Sequence, residues 1–118
     1  MAQYAVLIYA SDSAHAVDAT AEDTASCDAH AEELAAGEAM LLAFALTPRE
    51  LARSVSAEGV TDGPFVDASH VVAGFYVLEA ADLDTAVALA RTNPAVREGG
   101  GVEVRLVHSG GLVDRPSA

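Results

Sequence analysis

Two hydrophobic periods alternate along the chain and divide it into elements. Gln3 to Ala10 (QYAVLIYA) is a short apolar run with β-branched and aromatic residues, and predicts a buried first strand. Ser11 to Ala19 is small and polar, a loop. Thr20-Ala21-Glu22-Asp23 sets a hydroxyl at the N-cap, an acid three residues on and negative charge in the first turn, which predicts a helix start. Helix-forming residues continue to Ala36, with Gly37 suited to the C′ position. Cys27, Ala31, Leu34 and Ala35 form a thin apolar stripe, opposite Asp28, Glu32 and Glu33. Ala39 to Leu46 predicts a second strand, short and stopped by Thr47-Pro48. Leu51 to Ala57 alternates as a half-exposed strand expected to lie antiparallel to the one before it. Ala73 to Ala80 (AGFYVLEA) is the clearest strand. Asp82 then caps a second helix, in which Leu83, Ala86, Val87 and Ala90 recur at helical spacing and which Asn93-Pro94 is expected to end. After Glu98-Gly99-Gly100-Gly101, Val102 to His108 alternates as a last strand. The segment from Ser109 is rich in Gly, Pro and Ser and reads as a fraying tail.

This order, βα, then antiparallel strands, then αβ, predicts an α+β fold of the ferredoxin-like kind, an antiparallel sheet with two helices on one face. Residues 1–108 form a single domain and 109–118 a flexible tail. The other face of such a sheet is bare, and a second copy of the chain would cover it most simply, giving a homodimer.

Charge narrows the partners. Eighteen acids against six arginines, with no lysine, leave a formal charge of −12. Such a surface repels phosphate backbones and anionic lipids, so neither nucleic acid nor membrane is an expected partner. One cysteine, Cys27, cannot form an intramolecular disulfide. The N-terminal apolar run lacks a basic flank and is too short for a signal peptide or a membrane span, so the expected location is cytoplasmic.

Five segments carry a resemblance: Y-A-V-L-I-Y (4–9), T-D-G-P-F (61–65), G-F-Y-V-L-E-A (74–80), D-L-D-T-A-V-A-L-A (82–90) and G-G-V-E-V-R (100–105). In this order and spacing the chain resembles the YCII-related, or DGPF-domain, family. The resemblance implies a dimeric α/β barrel, two ferredoxin-like subunits packed sheet to sheet. It also implies a site pairing a histidine on the first helix with an aspartate in a cleft, and for some members a link to sigma-factor-dependent transcription. The chain departs from the family pattern in three places. Leu106 stands where the family often has proline, the hairpin before T-D-G-P-F looks shortened at Ala57 to Val60, and the following segment reads Val66-Asp67-Ala68-Ser69-His70.

The candidate residues each have a structural and a functional reading. In Asp62-Gly63-Pro64-Phe65 the aspartate can hold backbone amides, glycine can supply φ > 0 and proline stiffens the corner. Alternatively, Asp62 faces the cleft as one member of an acid–base pair. His30, on the first helix, is its expected partner, since an imidazole exchanges protons near neutral pH. His70 precedes the clearest strand and is either a rim residue or a cleft residue. Phe65 and Phe75 would form apolar walls. Arg53 and Arg105 could bind a ligand carboxylate or pair with neighbouring acids. The four histidines lack metal-ligand spacing, there is no G-x-G-x-x-G, phosphate-loop or G-x-S-x-G motif, and no cofactor is expected. Two readings follow: a cleft for a small organic acid with His30–Asp62 acid–base chemistry, or a non-catalytic regulatory or protein-interaction module.

Overall fold

A computed structural model of the chain describes residues 1–36 and 39–113. Strand β1 (Ala2–Ala10) leads through a loop to helix α1 (Ala21–Ala36), then β2 (Met40–Ala45) and a 3-10 turn at Arg49–Leu51. A hairpin follows, β3 (Arg53–Ser56) and β4 (Gly59–Asp62). The chain then forms β5 (Val71–Ala80), α2 (Leu83–Ala90), the short α3 (Pro94–Arg97) and β6 (Gly101–Leu106). The main sheet has the order β2-β5-β1-β6, and every pairing in it is antiparallel. This is the expected ferredoxin-like α+β arrangement. The described residues contain no helix long and apolar enough to cross a membrane.

Period-two alternation decides which side of the sheet each residue occupies. Tyr4, Val6 and Ile8 of β1 lie opposite Leu78, Tyr76 and Gly74 of β5, and Val104 and Val102 of β6 sit across from Val6 and Ile8. Tyr4, Val6, Tyr76, Leu78 and Ala80 are buried with Ala86 and Ala90 of α2, and this is the core. The small residues of α2 let that helix approach the sheet closely. The opposite set on β5, Ala73, Phe75 and Val77, is only half-buried. With Leu7, Leu42 and Phe44 it forms an apolar surface, on which the Phe44 and Phe75 rings meet at 5.5 Å.

Local chemistry sets the helix ends. Asp82 accepts hydrogen bonds from the Thr85 hydroxyl at 2.7 Å and the Thr85 N–H at 2.8 Å, the expected N-cap of α2. The hydroxyl first, then the backbone bond, holds its carboxyl below the usual range. Asn93-Pro94 does not simply terminate α2. The Asn93 side chain accepts from the Ala95 N–H at 2.9 Å, and Pro94 opens α3, so the dipeptide starts a new helix. Gly100 follows where no side chain fits, because a Cβ there would lie 2.1 Å from the Tyr9 carbonyl oxygen.

A second correction concerns the segment before T-D-G-P-F. The strand over 53–56 pairs with β4, from Arg53↔Asp62 to Ser56↔Gly59, and not with β2. A hairpin is thus present before T-D-G-P-F, turning through Ala57-Glu58. The Gly37 cap, the side chains of Cys27, Ala31, Glu33, Leu34 and Ala35, and the tail beyond residue 113 lie outside the described residues.

The core assignment makes a stability prediction. Leu78 is fully buried, so Leu78→Ala should destabilise the fold by about 2–5 kcal/mol. Val55, 70% exposed on the hairpin, should cost no more than about 0.5 kcal/mol on the same change. Urea unfolding of the two variants measures both, and equal losses would contradict the placement.

Candidate functional site

A cavity of about 510 Å³ opens between α1, the loop that follows β1, and the β2–β5 edge of the sheet. Its apolar wall comes from Ile8, Met40, Phe44 and Phe75. Its polar lining comes from Asp12, His15, Asp28, His30, His70, Tyr76, Asn93 and Glu98. The loop is held against the sheet by several bonds. The Ser13 hydroxyl donates to the Leu46 carbonyl, and Asp12 accepts from the backbone N–H of Ser13 and of Arg49, both at 2.8 Å. The Arg49 guanidinium donates to Ser11 O at 3.1 Å and to Asp67 at 2.6 Å, tying the loop to the segment after T-D-G-P-F.

His30 is the most deeply set of the cavity's histidines, 6% exposed. Its Nδ1 lies 3.3 Å from the Thr92 hydroxyl, which also donates to the Leu89 carbonyl at 2.8 Å. The shorter bond takes the hydroxyl proton, so toward His30 the Thr92 oxygen is placed to accept from a protonated Nδ1. Tyr76 approaches the same ring edge-on, with centroids 6.0 Å apart. Among the described residues the buried Tyr76 hydroxyl has no hydrogen-bond partner. Burial pushes its pKa up to about 12, and the nearby Asn93 side chain, outside hydrogen-bond geometry, pulls it partly back. At neutral pH Tyr76 is therefore a phenol able to donate or accept, not a base.

The structure separates the other expected site residues. Phe75 and His70 line the same cavity as His30; Asp62 does not. Asp62 is exposed at the end of β4 and pairs with the Arg53 guanidinium across the hairpin. Gly63 turns the chain with φ +98°, and its carbonyl accepts from the Ser54 hydroxyl at 2.7 Å. Phe65 belongs to a second cavity of about 580 Å³, lined also by Arg49 and Pro64, and His70 touches both cavities. His70 Nε2 lies 3.0 Å from the Gly99 carbonyl and anchors the start of β5 to the Gly-rich turn. Arg105 faces Glu103 at 3.8 Å on β6. Both arginines thus take the ion-pair reading, and neither lines the His30 cavity.

Thr92, Tyr76, Asp12, Asp28 and Glu98 were not singled out from the sequence as site residues. For Tyr76 a signal existed. Alternation places it with Gly74 and Leu78 on the helix-facing side, and a buried phenol requires a partner or a ligand. For Asp28 none existed, because residues two apart do not share a helix face. Among the described residues, no trio of His, Cys, Asp or Glu is disposed to hold a metal ion.

Residues 2–109 match the family model described as the YCII-related domain. No curated protein matches the chain significantly.

Burial of Tyr76 sets an alkaline limit on stability. Below pH 10 the phenol is protonated in folded and unfolded chains alike; between pH 10 and about 12 only the unfolded form ionises, so stability falls through that window. The chain has no lysine to confuse the same range. Urea unfolding should show a loss on the order of 2 kcal/mol across the window, flattened in Tyr76→Phe. An identical slope in the variant would contradict the buried phenol.

Proposed function

The chain belongs to the YCII-related family, and on that footing we propose a homodimer whose cleft holds a small organic molecule and exchanges a proton with it through His30. The observation that carries this reading is a buried imidazole lining a cavity large enough for such a ligand. Burying a polar ring lowers stability relative to an apolar side chain of the same size, so a purely structural core favours leucine or phenylalanine here. The Thr92 contact orients the ring, and an imidazole held in this way at a cavity wall can exchange a proton with a bound molecule. Tyr76 is the second polar contact, and Ile8 and Met40 supply the apolar wall on that side of the sheet. In this reading Asp62 belongs to the β3–β4 hairpin through Arg53, and His30 acts without it.

The homodimer rests on the open sheet face. Phe44 is 58% exposed, beside Phe75, Leu42 and Leu7, and such a continuous patch is covered in most soluble proteins. The partner would close the Phe44–Phe75 side of the cleft. Light scattering at micromolar concentration should return twice the 12.0 kDa chain mass. A clean monomer would sink the packing.

The cleft itself is tested with benzyl alcohol, a neutral ring of suitable size bearing one hydroxyl. Titration followed by NMR should shift His30, Tyr76 and Phe75 resonances saturably. His30→Gln, which keeps a polar side chain of similar reach, should weaken the affinity by about tenfold, roughly 1.4 kcal/mol. Absence of any saturable shift at these residues would overturn the reading.

A further inference from the structure

The charge of the cavity carries the reading further, to a class of ligand. Asp12, Asp28 and Glu98 come from three separate elements, the loop after β1, α1 and the end of α3, and all line it. Among the described residues no arginine does, and the chain contains no lysine. Arg49, the nearest cation in the network that holds Asp12, is turned to Asp67 and Ser11 and lines the second cavity instead. A ligand carboxylate would thus meet three like charges with no guanidinium to receive it. The acids do not stand alone as a feature. Beneath them Tyr76, 3% exposed, lines the same cavity, and its buried hydroxyl has no hydrogen-bond partner among the described residues. Such a group, buried against an apolar wall, marks a position for a ligand's polar atom.

Resting on the cleft reading above, we infer that this cavity takes a small aromatic or aliphatic amine in its cationic form, not an organic acid. The ammonium lies toward the Asp28 and Glu98 carboxylates. The apolar body lies against Ile8 and Met40, which pack on the same side of the sheet as Tyr76, and any hydroxyl or second nitrogen lies toward Tyr76.

Three probes of one shape separate charge from fit: benzylamine, benzyl alcohol and benzoate, titrated by NMR and calorimetry against the full chain. The expected order is benzylamine tightest and benzoate weakest. Asp28→Asn and Glu98→Gln should each weaken benzylamine by at least about threefold and leave benzyl alcohol unchanged. Both changes are isosteric at exposed residues; Asp28 also accepts from the Thr24 hydroxyl at 2.8 Å, which an amide oxygen can still do, and circular dichroism checks that the fold is kept. Benzoate binding as tightly as benzylamine overturns the amine assignment while the cleft reading stands. Benzylamine affinity indifferent to both substitutions also overturns it, since the carboxylates would then not face the ligand. Failure of all three probes to shift His30 and Tyr76 removes the cleft reading and the inference together.

Discussion

The pairing of β1 with β5 is the interaction on which the rest of the molecule depends. These are the two central strands of the sheet, and their register sets Tyr4 against Leu78 and Val6 against Tyr76. All four side chains are buried on the helix side, and a slip of one residue would turn every one of them to the opposite face. The same register brings Tyr76 beneath α1, where it meets His30. An irregularity between Ile8 and Tyr9 shifts the pairing just beyond Gly74. There the backbone of β2 passes so close that a Cβ on Gly74 would sit 2.8 Å from the Phe44 carbonyl oxygen. The cavity therefore occupies the end of the sheet where ladder regularity breaks, next to a core that keeps its geometry fixed.

Much of this frame was legible in the sequence because periodicity and capping are local signals. Alternation in Val71–Ala80 separated Gly74, Tyr76 and Leu78 from Ala73, Phe75 and Val77, and the structure buries the first set more deeply. Asp82 was read as the N-cap of the second helix, and its carboxylate accepts from the Thr85 N–H. What the sequence could not express was pairing between segments. The strand over 53–56 showed alternation, but alternation does not name a partner, and its ladder is with β4. Asn93-Pro94 reads equally as a stop or a start, since proline closes one helix and favours the first turn of the next.

The site was legible only in part, and for the same reason. His30 was drawn from the resemblance and from the chemistry of imidazole, and it lines the cavity. Asp62 was expected beside it, yet its carboxylate lies across the hairpin from Arg53. An exposed pair of this kind contributes at most about 1 kcal/mol, so its role in holding the hairpin is modest. The residues that complete the His30 environment come from distant segments. Thr92 is 62 positions away, and Glu98 enters through the turn after α3. Their assembly depends on β5, α2 and α3 returning the chain over the sheet, a tertiary fact with no local signature. The overall charge of −12 reads as solubility along the sequence; the fold gathers three of those acids, Asp12, Asp28 and Glu98, on the lining of one cavity.

The central claim is that the His30 imidazole and the Tyr76 phenol share one buried polar site at the cavity. Aromatic-edited NOE spectroscopy on protein labelled at histidine and tyrosine tests it directly. With ring centroids 6.0 Å apart and the rings edge to face, cross-peaks between His30 and Tyr76 ring protons are predicted in the free protein. They should vanish in Tyr76→Leu, which assigns them. A His30 ring with cross-peaks to no Tyr76 proton, in a sample whose core contacts between Val6 and Leu78 are intact, would contradict the account.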